Sequence, residues 1–245
     1  MARRRFFVDR VRDGRAVVEG GSAEHLRKVL RAEPGQRFEV SDNRCVYLAE
    51  IEGFQKGVVR FRILEQIPAE EPEVRLTLLA ALIKFDRFEW IVEKATELGV
   101  ETIIPVAAAR SEKGLELAAA KRLDRWRRIA AESSQQARRV RRPEILPCAD
   151  LREALKSQGR LRLLLDEEPG GAPLLAAVEG VGPRTRSDVV RLLVGPEGGW
   201  TGEEREAALN AGWVRVSLGP LVLRAETAAT AGLAVVQCAW QGCRM

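Results

Sequence analysis

Val189-Val-Arg-Leu-Leu-Val-Gly-Pro-Glu-Gly-Gly-Trp-Thr-Gly-Glu-Glu204 holds a complete structural unit. Val189–Val194 is apolar except for Arg191, the composition of a strand buried on both faces of a parallel sheet. Gly195-Pro-Glu-Gly-Gly199 ends that strand in a loop. Thr201, followed by Glu203 and Glu204, opens a helix to Ala211: a hydroxyl cap with two carboxylates at the positive end of the helix dipole. Strand, glycine loop and helix make the repeating unit of an α/β fold.

The same alternation extends in both directions. Leu76-Thr-Leu-Leu-Ala-Ala-Leu-Ile83 is a continuous apolar strand, and Asp86–Leu98 has helical spacing, with Phe88, Ile91, Val92, Ala95 and Leu98 on one side and Gly99 as its stop. Thr102–Val106 and Leu161–Leu165 read as strands, and Leu115–Arg139 as one long helix or two. Val214–Leu218 is a last strand and Ala225–Trp240 a terminal helix. Alternation over about 170 residues predicts a sheet covered on both faces. Before Pro68-Ala-Glu-Glu-Pro72, an acidic, proline-bracketed linker, the pattern differs. Arg15–Glu19, Arg37–Ser41, Val46–Ile51 and Val58–Leu64 are short strands, with one helix near Ala23–Leu30. The expected organisation is a small β barrel or sandwich over 1–70 and an α/β domain over 73–245.

Composition excludes several classes. The 245 residues are 46% hydrophobic and 31% charged, an ordinary globular balance. No uncharged apolar run reaches the ~18 residues of a membrane span. The basic N-terminus lacks the apolar core of a signal peptide before Asp9. Cys45, Cys148, Cys238 and Cys243 lack metal-ligand spacing, so a reduced cytoplasmic protein without metal or disulfides is expected. The only histidine, His25, falls in the β region, which argues against a Ser-His-Asp hydrolase. His25 itself reads as structural or as an RNA contact.

Lys+Arg 40 against Asp+Glu 35 gives a net charge of +5. The excess is concentrated: nine basic residues between Lys121 and Arg142 face only Asp124 and Glu132. Six Arg in residues 1–15 face Asp9 and Asp13. Such runs suit a polyanion, because each neutralised phosphate releases counterions. A solvated helix face is the competing reading. Arg3, Arg4, Arg5, Arg10, Arg138, Arg139, Arg141 and Arg142 are the candidate RNA contacts.

GxGxxG, GxxxxGK[ST], GxSxG and HExxH are absent. The informative loops are Leu193–Thr201 and Leu218-Gly-Pro-Leu-Val-Leu-Arg-Ala-Glu-Thr-Ala228, both at the carboxyl ends of expected strands, where α/β sheets place ligands. The glycines of the first let backbone amides approach a ligand. The second presents an apolar strip of backbone, Leu221–Leu223, and then Arg224, Glu226 and Thr227. That strip suits a flat heteroaromatic group held by backbone hydrogen bonds. Each loop alone is equally a tight turn before a capped helix.

Together these loops resemble the signature of SPOUT-class methyltransferases, specifically the 16S ribosomal RNA uracil-N3 methyltransferase (RsmE) family. His25-Leu-Arg-Lys-Val-Leu-Arg31, Lys84 through Glu89-Trp-Ile-Val-Glu-Lys-Ala-Thr-Glu-Leu-Gly-Val100, and Ile104-Pro through Arg110-Ser111 fit as well. Glu132-Ser-Ser-Gln-Gln-Ala137 departs from the family's more Ala- and Gly-containing version. The resemblance implies a PUA-like β-barrel followed by an α/β domain with a deep trefoil knot, which periodicity could not show. It further implies a homodimer that methylates N3 of one uridine of 16S ribosomal RNA, free or in the small ribosomal subunit, from S-adenosyl-L-methionine. The cofactor would contact Leu165, Gly195, Pro196, Glu197, Gly199, Leu218, Gly219, Pro220, Leu221, Val222, Leu223, Thr227 and Ala228.

The uracil N3 carries a proton, so the site must remove it or stabilise the anion left behind. Arg224 is the candidate cation. Glu226 would orient it by an ion pair, or Glu197 would act as base. A non-enzymatic RNA-binding protein and a SPOUT methyltransferase for another nucleotide are the alternatives. A dinucleotide oxidoreductase lacks its glycine fingerprint and acidic ribose partner.

Overall fold

Residues 5–241 are described by the structure, a computed structural model, so Arg3 and Arg4 lie outside the described residues. The chain divides into two compact units. One runs up to Glu71 and includes Ala131–Arg142; the other comprises Pro72–Ala130 and the chain from Pro143 onward.

The first unit is a five-stranded sheet: β1 (Arg5–Phe7), β2 (Arg15–Val18), β3 (Arg37–Ser41), β4 (Val46–Gln55) and β5 (Val58–Ile67). The strand order is β1-β3-β4-β5-β2, with β1 parallel to β3 and the remaining pairs antiparallel. The tight β4–β5 turn puts Lys56 (φ 40°) and Gly57 (φ 81°) in the left-handed region, which matches the twist of the flanking strands. Phe6, Leu26, Val40, Ile51 and Phe61 fill the core, and Phe38 packs edge-on against both Phe6 and Phe61. The helix expected near Ala23–Leu30 is a short α1 (Gly20–Glu24) running into a π-helical turn, His25–Val29. Leu30 N–H closes that wider turn on the His25 carbonyl at 3.0 Å, and Leu26 stays fully buried.

Residues 131–142 return to this sheet. Ser41 Oγ donates to the Val140 carbonyl, Gln135 Nε2 donates to Ser22 Oγ at 3.0 Å, and the Arg142 guanidinium lies 5.3 Å from the Phe7 ring. Glu39 is buried and takes hydrogen bonds from both Arg5 and Arg138, while Arg5 also donates to the Arg138 carbonyl. A buried carboxylate needs such partners, because desolvation costs several kcal/mol per unpaired ion.

The second unit carries the expected alternation. Its elements are β6 (Arg75–Ala81), α2 (Phe85–Glu97), β7 (Thr102–Ala107), α3 (Leu115–Gln136, which ends in the first unit's segment), β8 (Glu144–Ile145), β9 (Ala149–Asp150), α4 (Leu151–Leu155) and β10 (Leu161–Leu165). There follow β11 (Ala172–Pro173), α5 (Leu174–Glu179), β12 (Val189–Val194), α6 (Gly202–Asn210), β13 (Val214–Ser217) and α7 (Ala225–Gln241). The sheet runs β11-β13-β10-β12-β6-β7-β8, with β9 beside β7, and all its pairings are parallel. Period-two alternation splits the apolar strands between two cores. Leu76, Leu78, Leu163, Leu165, Leu192 and Val194 pack on one face with α2 and α7, whereas Leu79, Ala81, Leu164 and Leu193 pack on the other with Trp200 and Trp213.

The order of the last strands positions the site. After β10 the chain runs to β11 at the sheet edge, crosses back over β10 to β12 on its other side, and returns past β10 to lay β13 between β10 and β11. Crevices form where such connections diverge, outside the carboxyl ends of the strands.

Candidate active site

The carboxyl ends of β10, β12 and β13 line a cleft open to solvent, at the place where α/β sheets hold their ligands. Its lining includes Leu165, Gly195, Pro196, Leu218, Gly219, Leu221, Leu223 and Ala228 of the sequence-derived set, with Asp166, Glu167, Val194, Ser217 and Ala225 added. Glu197, Gly199, Pro220, Val222 and Thr227 are not among the lining residues.

The wall after β12 is rigid. Trp200 is buried, its indole N–H donates to the Leu165 carbonyl at 2.9 Å, and a Cβ on Gly195 would lie 3.0 Å from its ring. Arg110 Nη1 donates to the carbonyls of Gly198 (2.8 Å) and Trp200 (3.2 Å). Thr201 and Glu204 form the capping box that starts α6, and Glu204 also accepts from Ala109 N–H at 2.7 Å. A bulky residue at Gly195 therefore presses on the buried Trp200.

The wall after β13 is open. Ser217 Oγ and Gly219 exchange hydrogen bonds in a tight turn, with Gly219 at φ 126°. Leu221 and Val222 are 78% and 79% exposed, and the backbone of 221–223 makes no hydrogen bond to another described backbone group. α7 begins directly after, and Gly232 lets it approach Leu165 and Leu192, whose methyls would lie within about 3.0 Å of a Cβ there.

The polar residues combine differently from the expectation. Glu226 does not pair with Arg224: its Oε1 lies 4.0 Å from Nε of Arg87, which also hydrogen-bonds Glu197. Arg87, in the first turn of α2, thus stands between the Glu197 carboxylate of the glycine loop and the Glu226 carboxylate in the first turn of α7. Glu226 Oε2 is buried without a hydrogen-bond partner among the described residues, and Arg224 is exposed. Sequence reasoning passed over Arg87 because a charged residue early in an amphipathic helix reads as solvated.

It also passed over Asp166-Glu167-Glu168, although three carboxylates directly after the apolar Leu161–Leu165 run are themselves a signal. One buried guanidinium, Arg205 of α6, holds all three: Asp166 at 3.0–3.1 Å, Glu167 at 3.2 Å and Glu168 at 3.0 Å. Burial opposes the charge on Arg205, but Asp166, then Glu168 and Glu167, outweigh it and hold its proton more tightly than usual.

The basic run from Lys121 to Arg142 is shared between the two units. Arg125 grips Glu89 through two bonds of 2.6 and 2.7 Å, Arg141 pairs with Glu71 at 3.2 Å, and Arg142 donates to Asn43. Arg139 is engaged within the protein, and Arg10 is exposed. Arg5 must be reassigned. It is buried on Glu39, and so cannot present its guanidinium to a phosphate. Arg138 shares that carboxylate but keeps a half-exposed side chain. Among the described residues, no cluster of His, Cys, Asp and Glu could hold a metal ion, and no helix is long and apolar enough to cross a membrane.

Comparison with known proteins agrees with this geometry. A family described as RNA methyltransferase domain matches residues 70–237. Ribosomal RNA small subunit methyltransferase E of Mycobacterium tuberculosis is 33% identical, over 94% of this chain and 90% of the relative. Its namesake in Aquifex aeolicus is 30% identical, over 91% and 94%. The crystal structure of ribosomal RNA small subunit methyltransferase E from Neisseria gonorrhoeae, bound to S-adenosyl methionine, superposes with a TM-score of 0.85 at 29% identity, over 97% of this chain and 98% of that one. A rigid glycine loop facing an open apolar one, on a chain so similar throughout, leads to one assignment: the chain belongs to the ribosomal RNA small subunit methyltransferase E family.

Proposed function

We propose that this protein transfers a methyl group from S-adenosyl-L-methionine to N3 of a uridine in 16S ribosomal RNA. One observation carries the reading: unpaired backbone of 221–223 beside the cleft at the carboxyl ends of β10, β12 and β13. An adenine edge offers donors and acceptors that such backbone can match, and Leu218, Leu221, Leu223 and Ala228 can cover its faces. The residues present therefore fit the cofactor. Family membership extends the proposal to a homodimer in the cytoplasm, a PUA-like first unit that grips RNA, and a trefoil knot, which the return of the chain past β10 supports.

S-adenosyl-L-methionine supplies an electrophilic methyl carbon on a sulfonium. The protein's part is to hold the base in line with it and to manage the N3 proton. Removing that proton leaves negative charge on N3 and its flanking carbonyl oxygens. Arg224, one residue beyond the apolar strip, provides a fixed positive charge at the rim where that charge develops. Glu226 accepts the proton: Oε2 is its unpartnered oxygen, while Arg87 faces Oε1. Glu197 is the weaker candidate base because its carboxylate already binds Arg87.

The test is to incubate the protein and cofactor with small ribosomal subunits, and separately with free 16S RNA, and to analyse nuclease digests by mass spectrometry. A single 3-methyluridine is expected. Methylation of another nucleotide would reassign the substrate, and calorimetry showing no cofactor binding by folded protein would leave only an RNA-binding role.

A further inference from the structure

Two residues lining the cleft are charged, Asp166 and Glu167, and both are acidic. They differ in what already occupies them. Asp166 is fully buried, with Arg205 on both oxygens and Arg215 at 3.5 Å. Its charge is balanced within the protein. Glu167 remains 37% exposed and shares only Nη2 of Arg205, at 3.2 Å.

The glycine loop is shaped around this carboxylate. Gly199 has φ 68°, and a Cβ there would overlap Glu167 Oε1. Absence of a side chain at 199 and the buried Arg205 together seat Glu167 at the cleft wall.

Methyl transfer changes the charge of the ligand. The sulfur–methyl bond breaks with its electron pair staying on sulfur, so a sulfonium becomes a neutral thioether, while the methyl carbon bonds N3 and the N3 proton passes to the base. We propose that Glu167, seated by Arg205 and Gly199, makes the cleft favour the cationic methyl donor over its thioether product. This rests on the cofactor reading given above. One carboxylate in a half-open cleft changes affinity for a ligand charge several ångströms away by about tenfold, at the effective dielectric of a protein surface.

Calorimetry with S-adenosylmethionine, S-adenosylhomocysteine and sinefungin, which carries an amine in place of the sulfonium, tests this on the wild type, Glu167→Gln and Gly199→Ala. The expected result for Glu167→Gln is about tenfold weaker binding of the two cationic ligands, with the thioether within about twofold of wild type and an unchanged melting temperature. Gly199→Ala should shift the preference in the same direction, since it displaces the carboxylate. Equal losses for all three ligands would place Glu167 on a part they share and overturn the inference, as would unchanged affinities. Wild-type protein that binds none of the three would overturn the cofactor reading itself, a result distinct from either.

Discussion

The loop of residues 195–199 and the loop of residues 218–224 leave neighbouring regions of one sheet and face the same cleft, yet they are built on opposite terms. In the first, Gly195, Gly198 and Gly199 lie close against Trp200, Arg110 and Glu167. In the second, a Cβ on Gly219 would meet nothing within 4 Å, and Leu221 and Val222 project outward. The first loop needs glycine because other groups occupy the space; the second needs it only for a turn. Close packing makes a scaffold that stays put, and backbone left unpaired makes a surface that a ligand can complete. Binding should therefore change the second loop and leave the first nearly unaltered.

The largest expected effect is chemical. Arg224→Ala should lower the single-turnover methylation rate by about 10²–10³-fold, the range for losing one fixed stabiliser of a developing anion, with cofactor affinity within about twofold. Arg224→Lys should recover part of the rate. Near-normal rates in both would reduce the second loop to a binding surface.

Next come effects that separate the loops by stability. Gly195→Val should destabilise the protein by about 2 kcal/mol in urea unfolding, through pressure on Trp200, and weaken cofactor binding with it. Leu221→Ala, at an exposed position, should weaken cofactor binding without moving the unfolding midpoint. If the two variants behaved alike, scaffold and surface would not be distinct.

The first unit repeats this contrast among its arginines. Arg5→Ala should cost about 3 kcal/mol of stability because it strips a partner from buried Glu39. Arg10, Arg141 and Arg142 replaced together should leave stability nearly unchanged and reduce the salt slope of RNA binding by roughly one unit per lost phosphate contact. An unchanged slope would make those side chains a solvated face.

The smallest effect is alkaline. Burial, reinforced by Asp42, pushes the Tyr47 hydroxyl up to about 12. Its folded value lies above the unfolded one, so its contribution is complete below pH ~10 and is lost as pH rises toward about 12. Tyr47→Phe should flatten the fall in urea midpoint over that window.

What the sequence revealed follows from how local the information is. β6, β12 and the capped start of α6 are contiguous, and so were legible as runs and caps. α4 and α5 span only five and six residues, too short for a helical period to show. The two loops could be found because each carries its glycines and polar groups in a row. Arg87 meets Glu197 and Glu226 from α2, Arg205 meets the carboxylates after β10 from α6, and nothing near either in sequence distinguishes it from a solvated helix charge. Arg5 was misleading for the same reason: within a basic run, a buried guanidinium looks like its exposed neighbours, and the carboxylate that buries it, Glu39, comes from β3.

Amide hydrogen exchange with and without S-adenosylmethionine, read by peptide mass spectrometry, tests the contrast between the loops most directly. New protection is expected over residues 218–224, where the backbone of 221–223 is unpaired, and little change over 195–200, which Arg110 and Trp200 already hold. Saturating cofactor that leaves 218–224 unprotected, or that protects only 195–200, would contradict it.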